Sequence, residues 1–262
     1  MKRITDKILL VLFVAAAGFF LFESFGIAKA TLIESEKYDS QFEMYDIGVT
    51  LYENGEKLVW RDYNGEDSEN PWDTNDDGVE LFSAIDEIRY GEIYDEVLTV
   101  KNSGQVDEYV RVTIYKYWED AQGNKLPNLR PELIVLNLVT NGNWIIDEDY
   151  STPERTVLYY KVPLKGAESE GGPETTEAFM TSMMIDPLIK QYYDQETEED
   201  PESHYTTITI TYRYNGKRFC TKVAVDAIQT HNAEDASLSA WGRQIKIDET
   251  TGELSLVKED KD

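Results

Sequence analysis

"LTVKNSGQVDEYVRVTIYKYW", Leu98–Trp118, decides how this chain is read. Asn102-Ser103-Gly104 marks a tight turn between two strand-forming runs, because Asn and Gly accept the backbone angles that turns demand. Beyond the turn the side chains alternate. Val110, Val112, Ile114 and Trp118 share one face, and Tyr109, Arg111, Thr113, Tyr115 and Tyr117 share the other. From Val110 on, Lys116 is the one charge on the apolar side. This period of two predicts a long, half-buried strand.

The same pattern recurs on both sides. "DIGVTLYENGEKLVW", from Asp46, sets Asn54-Gly55 between two alternating runs, a signature of a type I′ hairpin. "ELIVLNLV" and "RTVLYYKVPL" read as further strands, the second stopped by Pro163. "TTITITYRYNGKRFCTKVAVDAIQ" reads as a second hairpin with Asn215-Gly216 at its tip, and "GELSLV" as a last short strand. Only "NAEDASLSAWG" reads as helix, with Asn232 at the N-cap, Glu234 and Asp235 in the first turn, and Gly242 at its end. The acidic stretches "RDYNGEDSENPWDTNDDG", "KGAESEGGPETTE" and "DQETEEDPESH" read as loops. Strands without βαβ alternation predict an all-β, jelly-roll-like β-sandwich with one short helix near the C-terminus, preceded by an N-terminal signal helix.

The 262 residues are 41% hydrophobic and include 17 tyrosines, enough for a real core faced with amphipathic side chains. The N-terminus looks like an export signal: Lys2, Arg3 and Lys7, then an unbroken apolar run from Ile8 to Phe22, then Ala28-Lys29-Ala30 with small residues at the cleavage positions. Cleavage is expected between Ala30 and Thr31. The same run left uncut would be an anchor, although it is shorter than the ~20 residues of a spanning helix. The expected organisation is a signal peptide at 1–30, a short leading segment at 31–45, one β-sandwich domain at 46–257 and a charged tail at 258–262.

The chain has 51 acidic and 25 basic residues, for a net charge of −26. Removing residues 1–30 takes away four basic and two acidic residues and leaves −28. A surface of that sign repels nucleic acid and anionic membranes, so contact with a membrane is expected only through the signal segment before cleavage. The single cysteine, Cys220, rules out a disulfide framework. The C-terminal "SLVKEDKD" carries no apolar tail or sorting motif, and release after cleavage is the expectation.

Catalytic signals are thin. Asp73, Asn75, Asp77 and Gly78 match the first half of a calcium loop, where oxygens at positions 1, 3 and 5 converge and Gly permits the turn. The twelfth position is Ala84, not Glu, so the stretch reads either as a solvated Asn/Asp turn or as an irregular calcium site using Asp86 or Glu87. No cofactor is expected, with calcium at this loop as the alternative. His204 and His231 lack the spacing of a zinc site. Cys220 alternates with Arg218 and Lys222 but has no histidine beside it in sequence, so it reads as a packed thiol. No catalytic residues are assigned, and the chain is read as a non-enzyme.

"ATLIESEKYDSQFEMYDIGVTLYE", the opening stretch with Asn102, Gly104, Tyr109 and Arg111, "TNGNWIIDEDYSTPERTVLYYKVPL" and "VAVDAIQTHNAEDASLSAWG" together resemble the TasA/camelysin family of secreted proteins from Gram-positive bacteria. The likeness covers most of residues 28–247 as diffuse blocks. It departs where Thr31-Leu32-Ile33 replaces an aromatic pair after the signal. The resemblance implies a jelly roll, processing by a signal peptidase, and self-association into biofilm-matrix or cell-surface fibres, with other matrix proteins as further partners. It also implies that the freed N-terminal segment, with Leu32, Ile33, Tyr38 and Phe42, adds as a strand to the next subunit. Two other readings stay open: a monomeric β-sandwich that binds carbohydrate or calcium, and a secreted metallopeptidase-like hydrolase.

Overall fold

The computed structural model describes residues 47–61, 72–74, 81–82, 85, 87–167, 169–199, 201 and 205–258. Among them lie fourteen strands and one α-helix. Six strands form the first sheet: β1 (Val49–Glu53), β2 (Glu56–Arg61), β3 (Trp72–Thr74), β4 (Ile93–Asn102), β6 (Ile134–Leu138) and β9 (Met180–Ile185), in the order β3-β2-β1-β4-β9-β6. Four form the second: β5 (Glu108–Glu119), β7 (Trp144–Ile146), β8 (Arg155–Tyr160) and β12 (Arg218–Gln229), in the order β12-β5-β8-β7. All pairings are antiparallel. Strands β10 (Tyr193–Glu199) and β11 (Thr206–Tyr212) form a separate ribbon, as do β13 (Ile245–Ile247) and β14 (Leu254–Leu256).

The two larger sheets share one apolar core. Leu51, Leu98, Val100, Ile134, Met180, Met183 and Ile185 come from the first sheet, and Val110, Val112, Ile114, Trp118, Trp144, Leu158 and Tyr160 from the second. The face predicted for Val110, Val112, Ile114 and Trp118 is the one buried. Lys116 also lies on it, and its ammonium donates to the Ile134 carbonyl at 2.7 Å. Burial holds its pKa below the usual lysine value.

The pairs are nested. β7 pairs with β8, β6 with β9 outside them, and β5 with β12 outside those. β4 takes β1 as its partner on the other edge. The opening stretch is therefore not a hairpin: β4 and β5 leave the Asn102 turn into opposite sheets. Asn102 is the staple of that crossover. Its amide nitrogen donates to the Val106 and Leu164 carbonyls at 2.8 and 3.2 Å, and its oxygen accepts from the Gly104 amide at 2.8 Å. The side chain is buried, so Asn102→Ala should cost about 1–3 kcal/mol by stranding those groups. Chemical denaturation checks this, and an unchanged midpoint would remove the role.

The Asn54-Gly55 hairpin forms as expected, with φ of 52° and 85° at those residues. The second expected hairpin does not. β11 and β12 are joined by the Asn215-Gly216 turn but do not pair with each other. β12 instead runs in register along all twelve residues of β5, and β11 takes as its partner β10, which lies in the acidic stretch read as a loop. The twelve-residue ladder with β5 also places Phe219, Val223 and Val225 against the core, which local pairing with β11 would not require.

The helix α1 (Ala233–Trp241) and the β13–β14 ribbon cover the outer face of the second sheet. Ala233, Trp241, Ile245 and Leu254 pack there on Tyr109, Val157, Tyr159 and Ile228. Gly242 closes the helix at φ 65°, as predicted. Asn232 does not cap it with its side chain; it sits in the left-handed region at φ 52°, and its carbonyl accepts from Ala236. The four residues that carried the family resemblance in this region all make structural links. Besides Asn102 and Gly104, Tyr109 donates to the Gly252 carbonyl at 2.7 Å, and Arg111 pairs with Asp226 at 2.8 Å while lying over Trp241.

Candidate functional site: an open edge beside an apolar groove

Among the described residues β12 pairs only with β5, which leaves its other edge open. The hydrogen bonding shows which amides face outward. The Thr230 amide donates to Asp107, directly opposite it in the β12–β5 register, while the Lys116 amide donates across β5's other edge to Glu154. Alternation then turns the amides and carbonyls of Phe219, Thr221, Val223, Val225 and Ala227 away from β5, toward the open edge.

Beside that edge runs a groove of about 740 Å³ between the two sheets. Its walls come from Leu51 and Leu58 of the first hairpin, Phe82 and Ile85 of the following loop, and Phe219 and Val223 of β12. The rings of Phe82 and Phe219 lie 6.3 Å apart. The Thr221 hydroxyl is buried against the groove, without a hydrogen-bond partner among the described residues. Arg218 and Lys222 stand on the rim, Arg218 3.7 Å from Glu119 and Lys222 5.8 Å from the Tyr117 ring. An extended apolar segment could therefore take both main-chain bonds and side-chain contacts here.

A pair of acids holds one wall of the groove. Glu53 and Glu96 are both buried. Glu53 accepts from the Phe82 amide at 2.9 Å, and Glu96 accepts from the Asn54 side chain at 2.8 Å. Burial first, then the neighbouring Glu96 carboxyl, raises the Glu53 pKa, opposed by the Phe82 amide. Through these bonds to the Phe82 backbone and to Asn54 the two side chains brace Phe82.

The residues singled out from sequence fall unevenly. Ala28, Ala30, Thr31, Leu32, Ile33, Tyr38 and Phe42 lie outside the described residues, as do Asn75, Asp77 and His204. Asp73 lies in β3, with its backbone opposite Trp60. Among the described residues no three His, Cys, Asp or Glu side chains gather as metal ligands. Cys220 is half-buried on β12, next to Tyr117 across the ladder. The groove itself was only half legible: the inward face of β12 shows in its alternation, but Phe82 and Ile85 come from a stretch without periodicity. No protein-family model, curated protein or solved structure matches this chain.

Proposed function

We propose that this chain is a secreted structural subunit of the TasA/camelysin kind, built on a jelly roll, that assembles into extracellular fibres by donating its N-terminal segment to the next copy. The observation that carries the reading is the open edge of β12 beside the apolar groove. The segment Thr31–Phe42 has twelve residues, the length of β12, and carries Leu32, Ile33, Tyr38 and Phe42 as apolar contacts. Main-chain bonds to the outward amides of β12 would supply affinity, and those side chains would enter the groove. The nested pairing of β7–β8, β6–β9 and β5–β12, with β1 beside β4 in the first sheet, supports the jelly-roll reading. Cleavage after Ala30 frees the donor, which couples export to assembly.

Electron microscopy of protein beginning at Thr31 tests this. Fibres are expected, and deletion of residues 31–42 should leave a folded protein that forms none. Ile33→Pro on the donor and Thr221→Pro on the acceptor should each weaken assembly, because each removes an edge donor; Thr221 can take proline because its amide faces away from β5. Fibres of normal length from the deletion protein would overturn the mechanism. N-terminal sequencing of the secreted form should return Thr31.

A further inference from the structure

The ribbon of β10 and β11 stands apart from both sheets, and all fourteen of its strand residues are exposed. An isolated two-stranded ribbon is marginal in water; a third strand or a packed face is what makes one persist. Its base is firmly held. Tyr214 packs on Trp118 at 4.9 Å, its hydroxyl accepts from the Arg130 amide, and Arg213 pairs with Asp194 at 2.6 Å. A fixed base with an uncovered stem is the form of a contact arm.

The two strands differ in charge. β10 carries Asp194, Glu196, Glu198 and Glu199, whereas β11, "TTITITY", carries none. Acids on an edge strand discourage pairing, so β10 is guarded and β11 is open. The Arg213 amide donates to Tyr192, directly opposite it in the β10–β11 register. Alternation therefore turns the amides of Thr206, Ile208, Ile210 and Tyr212 to the free edge. Their side chains share one face, where Ile208, Ile210 and Tyr212 are about half exposed (57, 49 and 52%).

We infer that β11 is a self-pairing edge, joining β11 of a second copy antiparallel about a two-fold axis through Thr209. This register aligns all seven residues. Ile208 meets Ile210 of the second copy, Thr206 meets Tyr212, and Thr207 meets Thr211. Every outward amide finds a partner, because the residues with outward amides pair with one another. No like charges meet, whereas pairing through β10 would set four acids against four. The resulting four-stranded sheet ends in acidic strands on both sides, so the contact closes at two copies. It is independent of the N-terminal donor, and in a fibre it would act laterally.

Cysteine cross-linking of the full-length chain tests the register. In a Cys220→Ser background, Thr209→Cys places the two thiols opposite each other at a non-hydrogen-bonded pair, where the Cα separation of about 4.5 Å suits a disulfide. Thr207→Cys places its two copies four residues apart along the strands, beyond bridging reach. Mild air oxidation should double the apparent mass of the Thr209→Cys protein on a non-reducing gel and leave Thr207→Cys at monomer mass. No dimer from Thr209→Cys, or equal dimer from both, overturns the proposal. The same cross-link is expected after deletion of residues 31–42, so loss of fibres and loss of this contact are separate results.

Discussion

Replacing Arg243 with alanine should lower the unfolding free energy by about 3–5 kcal/mol, the cost of leaving a buried charge without its partner. Arg243 and Asp147 are 2% and 1% exposed in their side chains. The guanidinium donates to Asp147 at 2.6 Å and to the Val257 carbonyl at 2.7 Å, and lies over Tyr150. Arg243 follows α1 and Asp147 follows β7, so the pair ties the C-terminal cap to the second sheet. Ser237 adds a bond from the helix to the Arg243 carbonyl at 2.7 Å. With the arginine gone, Asp147 stays buried while losing its main partner. The double change Arg243→Met with Asp147→Leu should be less damaging than Arg243→Ala, because it removes both charges and keeps apolar volume. Urea unfolding of the three proteins decides this. A double variant that loses as much stability as Arg243→Ala, or more, would mean that the two side chains do not act as a pair.

The second large effect is a pH dependence carried by Glu108. It starts β5 on the inward side, fully buried, and among the described residues neither carboxyl oxygen has a hydrogen-bond partner of good geometry, the Gly48 backbone lying near it without closing one. Burial pushes its pKa up to about 9, opposed more weakly by the nearby Gly48 backbone. The folded protein therefore holds a proton that the unfolded chain gives up near the ordinary carboxyl value of 4.5. Between those values the folded state binds more protons, so stability is greatest at the acid end and falls as pH rises. The limiting slope for one proton is about 1.4 kcal/mol per pH unit, and the fall levels off above about pH 9. Glu108→Gln removes this titration. The difference in unfolding free energy between Glu108→Gln and the parent should thus grow in the variant's favour from pH 5 to pH 9. A constant difference across that range would show that the carboxyl titrates normally.

Glu108 also marks where sequence reading stops. Its place in "DEYVRVTIYKYW" puts it on the inward face, since it alternates with Val110 and Val112. How deeply it is buried depends on Leu164, which hydrogen-bonds to its backbone in both directions from a remote loop. The same division runs through the whole protein. Alternation is a property of neighbouring residues, so it determined which side chains of β5 and β12 face the core. Turn chemistry is equally local, so Asn54-Gly55, the Asn102 turn and Gly242 were legible. The choice of strand partner is not local. β4 and β5 read as two arms of one turn, yet they belong to opposite sheets because Asn102 bonds across to Leu164 and both inner faces need a common core. β11 reads as the partner of β12, yet β12 finds a longer ladder on β5 and β11 takes the acidic β10. The groove needs Phe82 brought against Phe219, and the buried ion pair needs Arg243 brought to Asp147; both join residues about a hundred or more positions apart. Sequence alone determined the faces and the turns, because side-chain direction and backbone angles are set over a few residues. Only the tertiary structure decided the pairings, the open edges and the buried charges, because those depend on which distant surfaces exclude water together.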